Sequence, residues 1–84
     1  MSSKTHVVIY TRPGCHLCDE AKEAIARATV SPSVTIDEVN IESDPNLLRE
    51  YKYDIPVVTI NGVQAFKHRL TTEEFQQRIQ RLNP

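Results

Sequence analysis

The only two cysteines in this chain, Cys15 and Cys18, are three positions apart, where an apolar run gives way to an alanine-rich segment. Residues 6–10 have the β-branched and aromatic composition of a strand, and residues 15–28 repeat their apolar positions at helical spacing. The cysteines therefore lie at a strand-to-helix turn, on one side of the helix start. The partial positive charge at a helix N-terminus favours a thiolate on the first of them. The pattern predicts a redox dithiol, with Cys15 as the nucleophile and Cys18 as the resolving thiol.

Two other uses of a cysteine pair fit this chain less well. A structural disulfide between positions so close closes a small loop, whose entropic stabilisation is only about 2 kcal/mol. A structural zinc site needs four ligands, whereas a single C-x-x-C supplies two, and the three histidines lack the spacing of metal ligands. We therefore expect no metal site.

Composition limits the chain to one domain and gives no sign of a charged macromolecular partner. With 39% hydrophobic residues, residues 1–84 suffice for a single domain with one modest core. The net charge is -1, from 10 basic and 11 acidic residues, so neither nucleic acid nor a membrane is an expected partner. The first residues contain no signal-peptide core or stop-transfer run. We therefore expect a cytoplasmic protein, and a monomer.

The periodicity and turn signals predict seven elements in the order β-α-β-α-β-β-α. They are a strand at 6–11, a helix at 15–28, a strand at 34–41, a helix from 45 to about 51, strands at 57–60 and 63–66, and a helix from 72 onwards. The first strand has no charge in its middle, which is typical of a central strand buried on both faces. The pattern predicts an α/β fold with a four-stranded mixed sheet and helices on both faces.

Three local signals support these boundaries. Asp44 can cap the second helix with its side chain. Pro45 suits the first helical position because proline has no N–H to leave unpaired. The Asn61-Gly62 pair between two apolar runs predicts a hairpin with a type I′ turn. Thr71 and Glu74 have the spacing of a capping box at the start of the last helix.

The order of elements, the C-x-x-C at the start of the first helix and a proline opening the third strand resemble the thioredoxin superfamily over nearly the whole chain. Within it, residues 12–18, Arg-Pro-Gly-Cys-His-Leu-Cys, and residues 54–58, Asp-Ile-Pro-Val-Val, are most similar to the small glutaredoxin-like proteins. The resemblance implies a thioredoxin-like fold in which Pro56 is cis and lies beside Cys15. It also implies a thiol–disulfide oxidoreductase that acts on protein disulfides or glutathione mixed disulfides.

The same resemblance implies how glutathione would bind. Arg12 matches the basic residue of the family three positions before the first cysteine, and Ile55 and Pro56 match the backbone site before the cis-proline. Glutathione is then the expected reducing co-substrate, and no cofactor is expected to be bound. The Gly-Gly turn and following acidic residue of the family are absent, and residues 67–72 have the sequence Lys-His-Arg-Leu-Thr-Thr instead.

Two alternatives remain, and the missing element favours the first of them. One is a dedicated hydrogen donor that a protein reductase, rather than glutathione, keeps reduced. The other is a non-catalytic binding module that retains the thioredoxin fold.

His16 is the intervening residue most relevant to reactivity. An imidazolium beside the thiolate would stabilise it and make the disulfide easier to reduce. Asp19 and Glu20 oppose this effect, since a carboxylate about 4 Å away costs about 1 kcal/mol in water. We expect His16 to tune the dithiol.

Overall fold

The computed structural model describes residues 5–28 and 34–82. Its strands and helices follow the predicted order, β-α-β-α-β-β-α, and a single turn of 3₁₀ helix at Ile41–Ser43 joins the second strand to the second helix. The elements are β1 (Thr5–Thr11), α1 (His16–Ala26), β2 (Val34–Asn40), α2 (Pro45–Tyr51), β3 (Val57–Ile60), β4 (Val63–Lys67) and α3 (Thr72–Leu82). Within those two ranges, no helix has the length and apolar character needed to span a membrane.

The four strands form one mixed sheet in the order β2-β1-β3-β4, as predicted. β1 pairs in parallel with β2 and antiparallel with β3, and β4 is antiparallel to β3. Because Tyr10 is opposite Val57, the end of β1 and the start of β3 meet at the same edge of the sheet. The loop that carries the cysteines leaves the sheet at this edge.

One face of the sheet carries the hydrophobic core. The buried side chains that form it come from β1 and β3 in the sheet and from α1 and α3 above it. They are Val7, Ile9, Val58 and Ile60 from the strands, and Ile25, Phe75 and Ile79 from the helices. The Thr72 hydroxyl joins the two helices by donating to the Ala24 carbonyl at 2.7 Å.

The other face is covered less completely than predicted, since β1 is not fully buried on both faces. Val8 and Tyr10 of β1 are half-buried there, and His6 is exposed. Tyr10 stacks on Tyr51 of α2, with ring centroids 4.7 Å apart. α2 has only 7 residues, so it covers the carboxyl end of β1 and leaves the amino end to solvent. Helices nevertheless lie on both faces, as predicted.

Several element ends differ from the prediction by one or two residues. β2 ends at Asn40, because the Asn40 side chain accepts a hydrogen bond from the Glu42 N–H at 2.8 Å and starts the 3₁₀ turn. Ile41, expected in the strand, is fully buried in that turn. α1 ends at Ala26 instead of continuing to Ala28.

The local turn and cap signals are confirmed. The Asp44 carboxylate accepts from the Asn46 N–H at 2.8 Å, and Pro45 is the first residue of α2. Asn61 and Gly62 both have positive φ, 53° and 83°, as a type I′ turn requires.

The capping box at the start of α3 is also confirmed. The Thr71 hydroxyl accepts from the Glu74 N–H at 3.1 Å, and the Glu74 carboxylate accepts from the Thr71 N–H at 2.9 Å. Leu70 and Phe75 flank the box; Leu70 packs against the core and Phe75 is fully buried. These bonds fix where α3 starts, beside the edge of the sheet that carries the cysteines.

Replacing Thr71 with Ala tests how much the capping box contributes to the stability of the protein. The change removes the acceptor for the Glu74 N–H, and we expect it to lower the free energy of unfolding by about 1 kcal/mol. Urea denaturation followed by circular dichroism measures the difference. Gln77→Ala, at an exposed position of the same helix, is the control and should leave the midpoint nearly unchanged. A Thr71→Ala midpoint equal to that of Gln77→Ala would contradict the prediction.

Candidate functional site

A type II turn carries the chain from β1 into α1. The Cys15 N–H donates to the Arg12 carbonyl at 3.3 Å, and Gly14 has φ 79°. This turn type requires a positive φ at its third position and favours proline at its second, and Pro13-Gly14 supplies both. A Cβ at Gly14 would meet nothing within 4 Å, so the backbone angle, and not space, favours glycine.

Cys15 occupies the N-cap position of α1. Its backbone is extended, with φ -91° and ψ 111°, and its sulfur accepts a hydrogen bond from the Cys18 N–H at 3.2 Å. The Cys15 side chain is half-buried, so a substrate can reach the sulfur. A negative charge on Cys15 would be stabilised by this N–H and by the N-terminal end of the helix.

Cys18 differs from Cys15 in both access and charge. It is only 1% exposed. Burial, together with a hydrogen bond to the Cys15 sulfur, raises the pKa of the Cys18 thiol to about 12. Since this pKa is far above neutral, Cys18 carries its proton at physiological pH and can share it with the sulfur of Cys15. The two cysteines thus lie in unequal environments: Cys15 is half-buried, and Cys18 is buried and protonated.

The Ile55–Pro56 bond is cis, as the resemblance implied, and it lies at the same edge of the sheet as the cysteine loop. Continuing the β1–β3 register by one residue places Pro56 opposite Thr11, the last residue of β1. The Pro56 carbonyl accepts from the His68 N–H at 2.8 Å. The loops before α1, before β3 and before α3 therefore converge at this edge.

Two of the groups predicted to bind glutathione are already hydrogen-bonded to other residues of the chain. The Arg12 Nε donates to a Glu42 carboxylate oxygen at 2.9 Å. The Ile55 N–H donates to the Tyr51 carbonyl at 3.1 Å. A ligand that binds Arg12 has to compete with Glu42. His16, the predicted tuning residue, is exposed as the first residue of α1.

Sequence reasoning missed the partner of Arg12. Thr11 is opposite Asn40 in the parallel β1–β2 register, and Arg12 and Glu42 follow these strand ends. Because neighbouring parallel strands end at the same edge of a sheet, the residues that follow them can meet. An acidic residue just after the second strand was therefore the sequence signal that could have identified this partner of Arg12.

A polar network beneath the cysteine loop was also missed. The Glu38 carboxylate accepts from the Lys22 ammonium and from the Thr11 hydroxyl, both at 3.0 Å. These two bonds, Lys22 first, lower the pKa of Glu38, which stays ionised. The hollow above this network is lined by Cys18 and Asp19 as well. The network secures the last residue of β1 to α1, and so holds the turn that presents Cys15.

The donor set at this edge supports dithiol chemistry. Among residues 5–28 and 34–82, no group of three or more histidine, cysteine or acidic side chains could hold a metal ion. The reactive groups brought together are the two thiols, and the chemistry that they can perform on their own is thiol–disulfide exchange.

Comparisons with known sequences agree with this chemistry. The protein-family model described as Glutaredoxin-like domain matches residues 6–80. A curated glutaredoxin-like protein of Dictyostelium discoideum is 35% identical over 75 residues, which are 82% of this chain and 69% of that protein. Both cysteines and the cis-proline lie within the range of the family model.

Solved structures agree as well. A structural genomics target protein from X. campestris has a TM-score of 0.76 at 25% identity, over 89% of this chain and 96% of that one. The AhpF component of the alkylhydroperoxide reductase of Enterococcus faecalis has a TM-score of 0.73 at 28% identity. The matched region is 92% of this chain but only 38% of that protein. These neighbours confirm the predicted thioredoxin-like fold.

The unequal cysteines predict selective alkylation. At about pH 8, iodoacetamide should modify Cys15 of the reduced protein and leave Cys18 unmodified, because the alkylating agent reacts with thiolates. In Cys15→Ser, burial still holds the pKa of Cys18 above that of an exposed thiol, so its alkylation should require a more alkaline pH than that of an exposed cysteine. Mass spectrometry of the tryptic peptides measures both rates. The same variant in urea is the control, since unfolding exposes Cys18 and should restore ordinary reactivity. Rapid modification of Cys18 in the folded variant at about pH 8 would contradict the assigned burial.

Proposed function

The chain belongs to the Glutaredoxin-like domain family, and we propose that it is a thiol–disulfide oxidoreductase that reduces protein disulfides or glutathione mixed disulfides. The family and the neighbouring cysteines support a thioredoxin-like redox role. The proposal of disulfide reduction rests on one observation, the difference between the two cysteines. Cys15 is accessible at a helix N-terminus, and Cys18 is buried and protonated beside it.

The reaction follows from this inequality. The Cys15 thiolate attacks one sulfur of the substrate disulfide, a bond forms between the two sulfurs, and the other substrate sulfur leaves as a thiolate that takes up a proton. Cys18 then attacks the Cys15 sulfur, and the second substrate sulfur leaves and takes the proton that Cys18 gives up, so it departs as a thiol. The substrate has gained two electrons, and the protein ends with a Cys15–Cys18 disulfide. Burial protects Cys18 from outside disulfides, so Cys15 always reacts first.

Trapping the intermediate tests this order. Cys18→Ser cannot complete the second step, so it should accumulate a mixed disulfide between Cys15 and a peptide substrate. Cys15→Ser should accumulate none, because its remaining thiol is buried. The wild type should pass on to the intramolecular disulfide. Non-reducing mass spectrometry distinguishes these three products.

The same experiment addresses a non-catalytic binding module. Such a module would bind its partner equally well after both cysteines are replaced by serine, and would form no covalent adduct in any variant. That result would refute the oxidoreductase.

Glutathione is our proposed reductant. Two glutathione thiols would restore the dithiol and leave as glutathione disulfide, and Arg12 would attract a glutathione carboxylate once released from Glu42. A protein reductase is the second candidate, and the internal bonds of Arg12 and Ile55 favour it. The structural neighbour from Enterococcus faecalis is itself part of a reductase by name. We further propose that the chain works as a monomer in the cytosol.

Weakening the Arg12–Glu42 ion pair tests whether glutathione or a protein reductase is the reductant. Glu42→Gln removes the charge that competes for Arg12, and should speed reduction of the oxidised protein by glutathione about two- to fivefold, the range of an exposed ion pair. Glu50→Gln, on the exposed side of α2, should change nothing. The rate of loss of the Cys15–Cys18 disulfide at several glutathione concentrations is the measurement. If dithiothreitol reduces the Cys15–Cys18 disulfide of both variants but glutathione reduces neither, the reductant is a protein reductase.

A further inference from the structure

His68, in the loop between β4 and α3, has a backbone conformation that is uncommon for a residue other than glycine. Its φ is 68°, and the Arg69 N–H donates to the Lys67 carbonyl across it at 2.8 Å. A positive φ spanned by a bond between the two flanking residues is typical of a classic γ-turn, which is rare and strained. Residues in strained conformations cluster at active sites and ligand clamps, so His68 is a candidate for a role at the neighbouring cysteine loop.

His68 binds the chain just before β3 at two points. Its N–H donates to the Pro56 carbonyl at 2.8 Å. Its ring nitrogen Nε2 lies 3.2 Å from the Tyr53 carbonyl, and because a carbonyl only accepts, Nε2 carries the hydrogen and donates. The same nitrogen is 3.8 Å from a carboxylate oxygen of Asp54. We name residues 53–56 the β3 entry segment, and His68 therefore holds both of its ends.

The β3 entry segment is also anchored to α2. The Asp54 and Ile55 N–H groups both donate to the Tyr51 carbonyl, at 2.8 and 3.1 Å, which ties the middle of the segment to the end of that helix. The Tyr53 side chain is 83% exposed, so its packing does little to hold the segment. The start of the segment is thus held chiefly by the bond from the His68 ring.

The β3 entry segment adjoins the turn that presents Cys15. The last β1–β3 pair is Tyr10–Val57, and two residues further from it come Arg12 on one side and Ile55 on the other. The Arg12 carbonyl binds the Cys15 N–H, so Ile55 lies beside the Cys15 turn. Ile55 is half-buried, and none of the hydrogen bonds found within residues 5–28 and 34–82 uses its carbonyl. That oxygen can accept from a backbone N–H of a peptide bound to Cys15.

We propose that His68 is a positioning residue, which fixes the β3 entry segment so that the Ile55 carbonyl can bind the backbone of a peptide disulfide at Cys15. This role rests on the proposed function and adds to it the class of substrate, a disulfide with peptide groups beside its sulfur. His68 acts through the segment that it binds and takes no part in the exchange between sulfurs.

Loss of the His68 ring would leave the β3 entry segment in its present position for only part of the time. The apparent affinity for a substrate falls in proportion to the fraction of molecules in the binding-competent state. A disulfide without peptide groups makes no use of the Ile55 carbonyl, so its rate should not depend on His68. The reduced protein supplies the two electrons by the exchange already described, and a single turnover needs no other reductant.

Two disulfides that differ in their backbone test this role. One is the disulfide-linked dimer of the peptide Gly-Ser-Cys-Ser-Gly, and the other is hydroxyethyl disulfide, which has no peptide group. Each is mixed with the pre-reduced protein, and the second-order rate at which the Cys15–Cys18 disulfide forms is measured by acid quenching and mass spectrometry. The rate of Cys15 alkylation by iodoacetamide in each variant shows whether the substitution has altered the thiol itself.

Three substitutions of His68 separate the ring donor from the strained backbone. His68→Leu removes the donor and should reduce the peptide disulfide about three- to tenfold more slowly than the wild type, the range of one hydrogen bond, with an unchanged rate for hydroxyethyl disulfide. His68→Gln places an amide N–H near the position of Nε2 and should restore most of the peptide rate. His68→Gly relieves the positive φ, so it should keep or raise the midpoint of urea denaturation and still reduce the peptide slowly.

Hydrogen exchange of the Ile55 N–H, followed by NMR, measures the stability of the β3 entry segment without a substrate. It should be faster in His68→Leu and His68→Gly than in the wild type, because local opening of the segment breaks the bond to Tyr51. His6→Leu is the matched control. His6 is also exposed and lies 2.6 Å from Asp37, but it is at the opposite end of β1, so its replacement should change neither the disulfide rates nor this exchange.

Three results would overturn the positioning role and leave the oxidoreductase. They are a peptide rate in His68→Leu equal to that of the wild type, equal slowing of both disulfides in that variant, and exchange of its Ile55 N–H at the wild-type rate. A wild type that reduces neither disulfide would refute the proposed function, and the positioning role with it.

Discussion

The candidate site depends on the position of β1 in the sheet, between two neighbouring strands that run in opposite directions. β2 is parallel to β1 and β3 is antiparallel, so one edge of the sheet receives the carboxyl ends of β1 and β2 and the amino end of β3. Cys15, Glu42 and Pro56 follow or precede these ends. A slip of one residue in either register would turn the strand over and place His6, Val8 and Tyr10 against the core in place of Val7 and Ile9. The core that fixes the register therefore also fixes the site.

Within this frame the chain pairs several polar groups near Cys15 with its own partners. Glu42 holds Arg12, the Tyr51 carbonyl holds the Ile55 N–H, and Glu74 holds the Thr71 N–H. Each bond makes the edge more rigid, because the loops are tied to the elements behind them. Each also removes a donor that a small polar ligand would use.

Much of the fold could be predicted from the sequence because its signals act over short distances. A cap such as Asp44, the Asn61-Gly62 turn and the Thr71–Glu74 box each involve residues at most three positions apart, and all are present in the structure. The cysteine pair at a helix start is a signal of the same kind. The prediction that β1 is buried on both faces was wrong, because the composition of a strand does not reveal that the helix covering it is short.

The contacts that set the chemistry lie beyond such local signals. Arg12 and Glu42 are 30 positions apart, and Thr11 and Glu38 are 27 apart, so they meet only through the β1–β2 register. Burial, the first cause of the raised pKa of Cys18, likewise depends on how the folded chain packs around it.

The difference between the two cysteines explains why selectivity has to reside outside them. In the proposed reaction, a Cys15 thiolate at the helix N-terminus would attack any disulfide that reaches it, and the buried Cys18 would respond only to a disulfide already formed on Cys15. Neither step distinguishes one substrate from another. Discrimination must come from surface that contacts the substrate beside its sulfur, and such contacts are strongest where water leaves apolar groups.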